Sequence, residues 1–394
     1  MAAETTLTAR RRVTKGPAHH VPAPAADGVV LGTMLALLGI GLVMVASTSL
    51  TVLGAGSEGW RDFLHQFFYA LLGLVAAAVL YNTPLELFER LRYVVLGLAL
   101  LLLVAVLVPG VGHSINGSAR WLSFGPFTLQ ASEPARVLVL MYVAGYAVQH
   151  HDALSRSFLG LIRPVAMVGL VGLLLVAEPD FGGTIVLFIT AIGVLFFAGA
   201  RKRDTAILTL LFGGAAIALA VSSPYRLERL TAFVNPWAAA QGSGFQLTQA
   251  LIAVGHGGVF GVGLGQSIEK LAWLPEAQSD FLFSVLAEEL GLVGVFSVIA
   301  LYLVFTLRTL KIARRALVAN LPFAANLAFA IGLLLGVQAF VNIGVNLGVL
   351  PTKGLTLPFM SAGGSSLVVD LAACGLLLRA VREIGMATAR GASR

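Results

Sequence analysis

An all-α integral membrane protein is the fold class this sequence predicts, and three observations predict it. Of 394 residues, 58% are hydrophobic and only 11% are charged, whereas soluble domains carry roughly 25% charged residues. Mean hydropathy is +0.90. Apolar runs near or above the ~20 residues needed to cross a bilayer recur along the whole chain. The single Cys374 lies inside one of them. It excludes an internal disulfide framework and reads as a small buried apolar residue.

Taken in order, the chain opens with a polar tail over 1–27. Arg10, Arg11, Arg12 and Lys15 stand there among Pro17, Pro22 and Pro24. This composition predicts a disordered cytoplasmic tail attracted to anionic lipid heads. Residues 28–394 then read as one polytopic membrane domain of about ten helices. The apolar runs are 29–50, 63–80, 93–111, 134–148, 165–177, 184–200, 206–221, 281–307, 323–350 and 367–380. The first is too long and too far from the start to be a cleaved signal sequence.

Orientation follows from the basic residues. With the N-terminus inside, most of the 26 Lys and Arg fall on inner segments, among them Arg201, Lys202, Arg203, Arg308, Lys311, Arg314, Arg315, Arg379 and Arg382. The outer segments hold Arg61, Arg120, Arg226, Arg229, Lys270 and Lys353, and Arg136 stands at an outer helix entrance. The asymmetry obeys the positive-inside rule, so the net charge of +7 is a topology signal and implies no nucleic-acid partner. A long outer segment, 222–279, joins the seventh and eighth spans, with shorter ones at 112–133 and 351–366. These three carry most of the motif-like sequence.

Asp280 is the most informative residue. It sits where a polar, glycine-rich stretch meets the apolar run 281–307, and a carboxylate at the mouth of a membrane helix is costly to desolvate. Further acidic residues beside or within spans are Glu133, Glu178, Asp180, Glu288, Glu289 and Asp370. Glu178-Pro179-Asp180 forms a turn whose reading as solvated or functional stays open. Glu288 lies about 12 Å deeper than Asp280 at helical rise and reads as structural, paired with a cation from a neighbouring helix. Asp370 has no evident partner in sequence. The run 255–265 is glycine-rich but lacks the Gly-Lys-Ser/Thr ending of a phosphate loop; it predicts close backbone packing instead. Arg226 and Arg229 are three apart and share a face if helical. One carboxylate beside several cations suits a reaction whose leaving group is a pyrophosphate, since only the attacking hydroxyl then needs a base. Glycosidases need two carboxylates because their leaving group is a poor alcohol.

The motifs Asn235-Pro236, Gly242-Ser243-Gly244-Phe245-Gln246, Gln249-Ala250-Leu251-Ile252-Ala253, Gly263-Leu264-Gly265, Leu274-Pro275-Glu276-Ala277, Ser279-Asp280-Phe281 and Glu288-Glu289-Leu290-Gly291 follow in the order and spacing of the SEDS family. So do Asn116-Gly117-Ser118-Ala119-Arg120-Trp121, Gln130-Ala131-Ser132-Glu133, and 350–366 with Gly363-Gly364-Ser365-Ser366. The chain therefore resembles that family over nearly its whole length beyond the tail. The stretches 275–280 and 350–354 look more like its cell-division branch, FtsW, than its elongation branch, RodA. The resemblance implies ten membrane helices with both termini cytoplasmic, in the inner membrane at the division septum. It implies a peptidoglycan glycosyltransferase that polymerises lipid II, an undecaprenyl-pyrophosphate-linked disaccharide peptide, with Asp280 activating the acceptor hydroxyl. It also implies a class B penicillin-binding protein transpeptidase as partner, alongside other division proteins. Some members depend on a divalent cation, Mg or Mn; no dedicated ligand cluster is evident here and no other cofactor is expected.

Placement on the outer face nominates Lys353, Arg226, Arg229, Arg120 and Arg136 for substrate contact. The matched motifs add Glu133, Gln246, Ser279 and Ser365, with Glu288, Pro275 and Glu276 in supporting roles. Departures from the family pattern are Arg136 for the usual Lys, which alters donor geometry, Pro134 for Leu, and the segment Met360-Ser361-Ala362. Two alternatives are a lipid II flippase, which would place its polar residues near the midplane on broken helices of repeated halves, and a non-catalytic septal scaffold tolerant of change at Asp280. No internal repeat is evident.

Overall fold

The structure, a computed structural model, describes residues 26–52, 57–115, 118–125, 127–271 and 273–392. The basic tail over 1–25 and the Asn116-Gly117 part of one motif lie outside the described residues. Chain order is α1 (Gly28–Val52), α2 (Ser57–Asn82), α3 (Leu85–Arg90), α4 (Arg92–Leu107), β1 (Gly112–Ile115), β2 (Ser118–Phe124), β3 (Phe127–Gln130), α5 (Ser132–Gln149), α6 (His151–Arg156), α7 (Leu159–Ala177), α8 (Phe181–Phe197), α9 (Lys202–Val221), α10 (Pro224–Val234), α11 (Phe245–His256), α12 (Leu282–Val318), α13 (Pro322–Asn346) and α14 (Ser365–Ala392), with a 3-10 turn at Pro236–Ala239.

Every apolar run of the sequence falls on one helix: α1, α2, α4, α5, α7, α8, α9, α12, α13 or α14. By length and composition α1, α2, α7, α9, α12 and α13 can each cross a membrane, while α4 and α8 are apolar but shorter. The segment 112–130, which hydropathy left without secondary structure, folds as a small antiparallel sheet in the order β1-β2-β3. Its register pairs Trp121 with Gln130, which brings Arg120 and Trp121 beside the start of α5.

Two apolar cores meet on α13. Leu327, Ile331 and Leu335 pack into one with α1, α12 and α14. Ala330 and Leu334 pack into the other with α4, α5, α7 and α8. By contrast, Leu210, Leu211 and Ile217 of α9 are exposed, as a lipid-facing helix requires. At the end of the bundle away from the sheet, Asp27 accepts from the Val29 and Val30 amides and pairs with Arg308 at 2.8 Å. That contact anchors α1 on α12.

The eighth span is one helix in sequence and a broken one in space. Gly291 takes φ 62° and ψ −162° inside α12. The break frees carbonyls and amides at membrane depth, where each must find a protein partner. The glycine-rich run supplies them. Val262 and Gly263 donate to the Glu288 and Glu289 carbonyls at 3.0 and 3.1 Å, and Leu292 and Val293 donate to the Gly258 and Val259 carbonyls at 3.0 and 3.2 Å. This requires backbone contact: a Cβ on Gly261, at φ +80°, would stand 2.1 Å from the Glu289 oxygen. The expectation of close backbone packing there holds.

Gly261→Ala therefore forces the loop away from α12 and should cost about 1–3 kcal/mol of stability. Thermal unfolding in detergent micelles measures it, against Gly213→Ala, whose added Cβ meets open space and should leave the melting temperature unchanged or slightly raised.

Candidate active site

At the loop-rich end of the bundle, a cavity of about 690 Å³ is lined by Asp280, Lys353, Arg120, Arg226, Arg229 and Glu133, with Gln246, Ser279, Glu276 and Asp180. Seven separate stretches of chain supply these residues. Pro224 at the first position of α10 suits the fixed φ of proline, and that helix carries Arg226 and Arg229 on the face turned to the cavity. Arg120 comes from β2, with its Nε donating to the Glu178 carbonyl at 2.9 Å and its Nη2 to the Pro179 carbonyl at 2.6 Å. Asp180 caps α8, accepting from Gly183 N at 2.8 Å, and so brings Phe181 to the wall. The Lys353 ammonium stands 3.7 Å from the centre of the Phe181 ring and the Arg226 guanidinium 5.2 Å from it. The ring face attracts both cations.

Asp280 is half-buried at the entrance to α12. Burial, with help from the Glu276 carboxylate, pushes its carboxyl up to about 7 against the pull of Arg120 and Arg229. Burial also pushes the Lys353 ammonium down to about 8, with Arg226 and Arg229 adding repulsion and Asp180 opposing it. The backbone before α12 is held at three successive carbonyls. The Ala362 amide donates to Gln278 at 2.8 Å, the Ser361 hydroxyl donates to Ser279, and the amides of Asn342 and Asn346 donate to Asp280 at 3.0 and 2.9 Å.

Of the other nominated residues, Pro275, Arg136, Ser365 and Glu288 lie outside this lining. Pro275 lines an adjoining hollow of about 280 Å³ with Glu228, Ser243 and Phe245, which shares Arg229 and Gln246 with the main cavity. Ser279 donates to the Glu276 carboxylate at 2.7 Å. Arg136 is wholly buried beneath the cavity, paired with Glu133, and its guanidinium takes no part in the lining. Ser365 accepts from the Gln130 amide at 3.0 Å, which fixes β3 on α14. Glu288 sits at the break in α12, bonded to the Ser267 hydroxyl and the Ile268 amide, with His256 of α11 3.7 Å away.

One feature differs from the sequence-based expectation, and two that the sequence left open are settled by the fold. Lys270 is not an exposed loop cation: it is buried, 2.6 Å from Glu289 and 2.8 Å from the Ser47 hydroxyl. In the turn at Glu178-Pro179-Asp180 both acidic residues are buried and Pro179 is exposed. Glu178 is fully buried with neither carboxylate oxygen hydrogen-bonded among the described residues, and burial with the nearby Asp180 pushes it up to about 8. Asp370 does have a partner, the backbone amide of Phe359, a residue held at φ 66°. The residues that sequence reasoning missed are Gln338, Asn342 and Asn346, three amides four apart in the half of α13 next to the site. Among the described residues no cluster of three His, Cys, Asp or Glu side chains could hold a metal ion.

The sequence profile of the FtsW/RodA/SpoVE cell cycle proteins matches residues 29–384. A probable peptidoglycan glycosyltransferase FtsW from Thioalkalivibrio sulfidiphilus is 50% identical over 352 residues, 89% of this chain and 88% of that protein. Its counterpart from Nitrosococcus halophilus is 50% identical over 357 residues, covering 90% and 92%. Among solved structures, a chain of a peptidoglycan synthase complex studied for the coordination of polymerization and crosslinking matches with a TM-score of 0.71 at 30% identity, over 92% of this chain and 99% of that one. The rod shape determining protein RodA of Thermus thermophilus matches with a TM-score of 0.66 at 28% identity, over 91% and 98%.

The Lys270–Glu289 pair makes its own prediction. Lys270→Met leaves a buried carboxylate uncompensated and should cost roughly 3–5 kcal/mol, whereas adding Glu289→Leu should recover most of that loss. Denaturant unfolding of the single and double variants in micelles measures both effects.

Proposed function

The chain belongs to the FtsW/RodA/SpoVE family of cell cycle proteins and is a peptidoglycan glycosyltransferase, and from that premise we propose that it polymerises lipid II with Asp280 as the general base. The observation that carries this reading is the meeting of Asp280, at the entrance to α12, with Lys353, Arg120, Arg226 and Arg229 around a single cavity. Asp280 takes the proton of the acceptor's GlcNAc 4-hydroxyl as that oxygen bonds the anomeric carbon of the growing strand's MurNAc. The bond from that carbon to the undecaprenyl pyrophosphate breaks, and its electron pair leaves on the phosphate oxygen. Attack and departure on opposite faces invert the anomeric centre. The departing group is already a stable anion, so it needs cations and no proton donor. Lys353 and Arg226, drawn to one aromatic face, supply charge close to the base.

The same reading orients the protein. The cavity lies on the extracytoplasmic side, both termini are cytoplasmic, and residues 28–394 form one polytopic membrane domain behind a basic tail over 1–27. The enzyme works at the septum with a class B penicillin-binding protein, whose transpeptidase crosslinks the new strands, and with other division proteins. A broken helix is a feature carriers share. Here the carboxylates at the break, Glu288 and Glu289, are committed to Ser267, Ile268, Lys270 and Ser47, an arrangement that favours support over transport.

Asp280→Asn should abolish strand synthesis from labelled lipid II while leaving the protein folded and bound to its transpeptidase. Near-normal synthesis by that variant would sink the mechanism. A base must be ionised and a cation charged, so the rate should rise with pH to a limb near 7 and fall beyond a limb near 8. Glu276→Gln removes a like charge and should move the acid limb to lower pH. Lys353→Arg should remove the alkaline limb, because a guanidinium stays charged.

A further inference from the structure

We propose that Gln338, Asn342 and Asn346 of α13 form a positioning ladder that sets Asp280 and Lys353 at their working separation; this rests on the reading of Asp280 as the base. Spaced four apart, the three share one side of α13, and all are buried. A helix whose task is only to span a membrane gains nothing from amides there, since each buried amide must find partners.

Their partners divide in a regular way. An amide nitrogen carries two hydrogens. That of Asn342 serves two segments, the Asp280 carbonyl at 3.0 Å and the Leu355 carbonyl at 2.5 Å. Of the two segments Asn346 serves only the base's: its nitrogen donates to the Asp280 carbonyl at 2.9 Å and to the Asn342 carbonyl at 2.9 Å, and its oxygen accepts from the amide and hydroxyl of Ser284 at 3.0 and 2.8 Å. Gln338 serves the cation loop alone among these two segments, donating to the Thr356 carbonyl at 3.1 Å, while its oxygen accepts from Arg136 at 3.3 Å. The base precedes α12 and the cation follows α13, so both helices lie between them in the chain. Asn342 is the joint at which the two segments meet. Each of the three is a positioning residue, acting through Asp280 or Lys353.

Steady-state polymerisation of lipid II by the full chain with its transpeptidase partner, followed across pH, tests the ladder in Asn346→Leu, Gln338→Leu and Asn342→Leu. Misplacing a reacting group should lower kcat on the order of 10- to 100-fold, with KM for lipid II within about threefold. The limbs should separate the three variants. Asn346→Leu displaces the acid limb alone, Gln338→Leu the alkaline limb alone, and Asn342→Leu both. Activity that merely follows the folded fraction, with both limbs at their wild-type positions, would overturn the proposal. Should a leucine variant not be recovered folded, Asn342→Gln keeps the amide and shifts it by one methylene; a displaced limb supports the ladder and unmoved limbs refute it. Polymerisation by Asp280→Ala would instead refute the assignment of the base itself, so the two failures are distinguishable.

Discussion

Three backbone carbonyls in a row, those of Gln278, Ser279 and Asp280, hold the candidate site together. Each accepts from a donor outside its own segment: the Ala362 amide, the Ser361 hydroxyl, and the amides of Asn342 and Asn346. A backbone carbonyl turned away from water costs free energy when its hydrogen bond is left unmade. The chain entering α12 is therefore confined to the arrangement in which all three are made, and the Asp280 side chain inherits that confinement. The loop that supplies two of the donors also carries Lys353, so the contacts that fix the carboxylate fix the cation as well.

The electrostatics follow from this geometry. Burial and Glu276 raise Asp280 while Arg120 and Arg229 lower it, and the balance leaves it near 7. A carboxyl poised there is a stronger base than an exposed aspartate and is still substantially ionised at neutral pH. The surrounding cations are not free to collapse onto it. Arg120 is occupied by the carbonyls of the α7–α8 turn, and Lys353 and Arg226 gather at Phe181. Cations tied to carbonyls and to a ring face keep their charge available to an incoming pyrophosphate.

Much of this arrangement was legible in the amino-acid sequence. Hydropathy placed each apolar run on a helix, and the spacing of Arg226 and Arg229 foretold one face of α10. What escaped it were interactions whose partners carry no chemical signature or meet only in the folded chain. Asp370 is bonded by a backbone amide, and Gly291 breaks α12 although a glycine inside an apolar run is ordinarily tolerated. Lys270 looked like a loop cation because its partner Glu289 becomes its neighbour only when the glycine-rich run packs against the break. The amides of α13 did leave a trace, a polar residue at every fourth position from 338 to 346. That signal becomes readable once a membrane helix is searched for polar periodicity as well as for apolar length.

The most direct test of the account is a structure of the Asp280→Asn variant with its transpeptidase partner and lipid II, in which chemistry is blocked and the substrate stays in place. The account predicts a GlcNAc 4-hydroxyl within hydrogen-bonding distance of the side chain at position 280, with a pyrophosphate against Lys353 and the α10 arginines. Lipid II bound with its sugars away from position 280, or its pyrophosphate away from those cations, would contradict it.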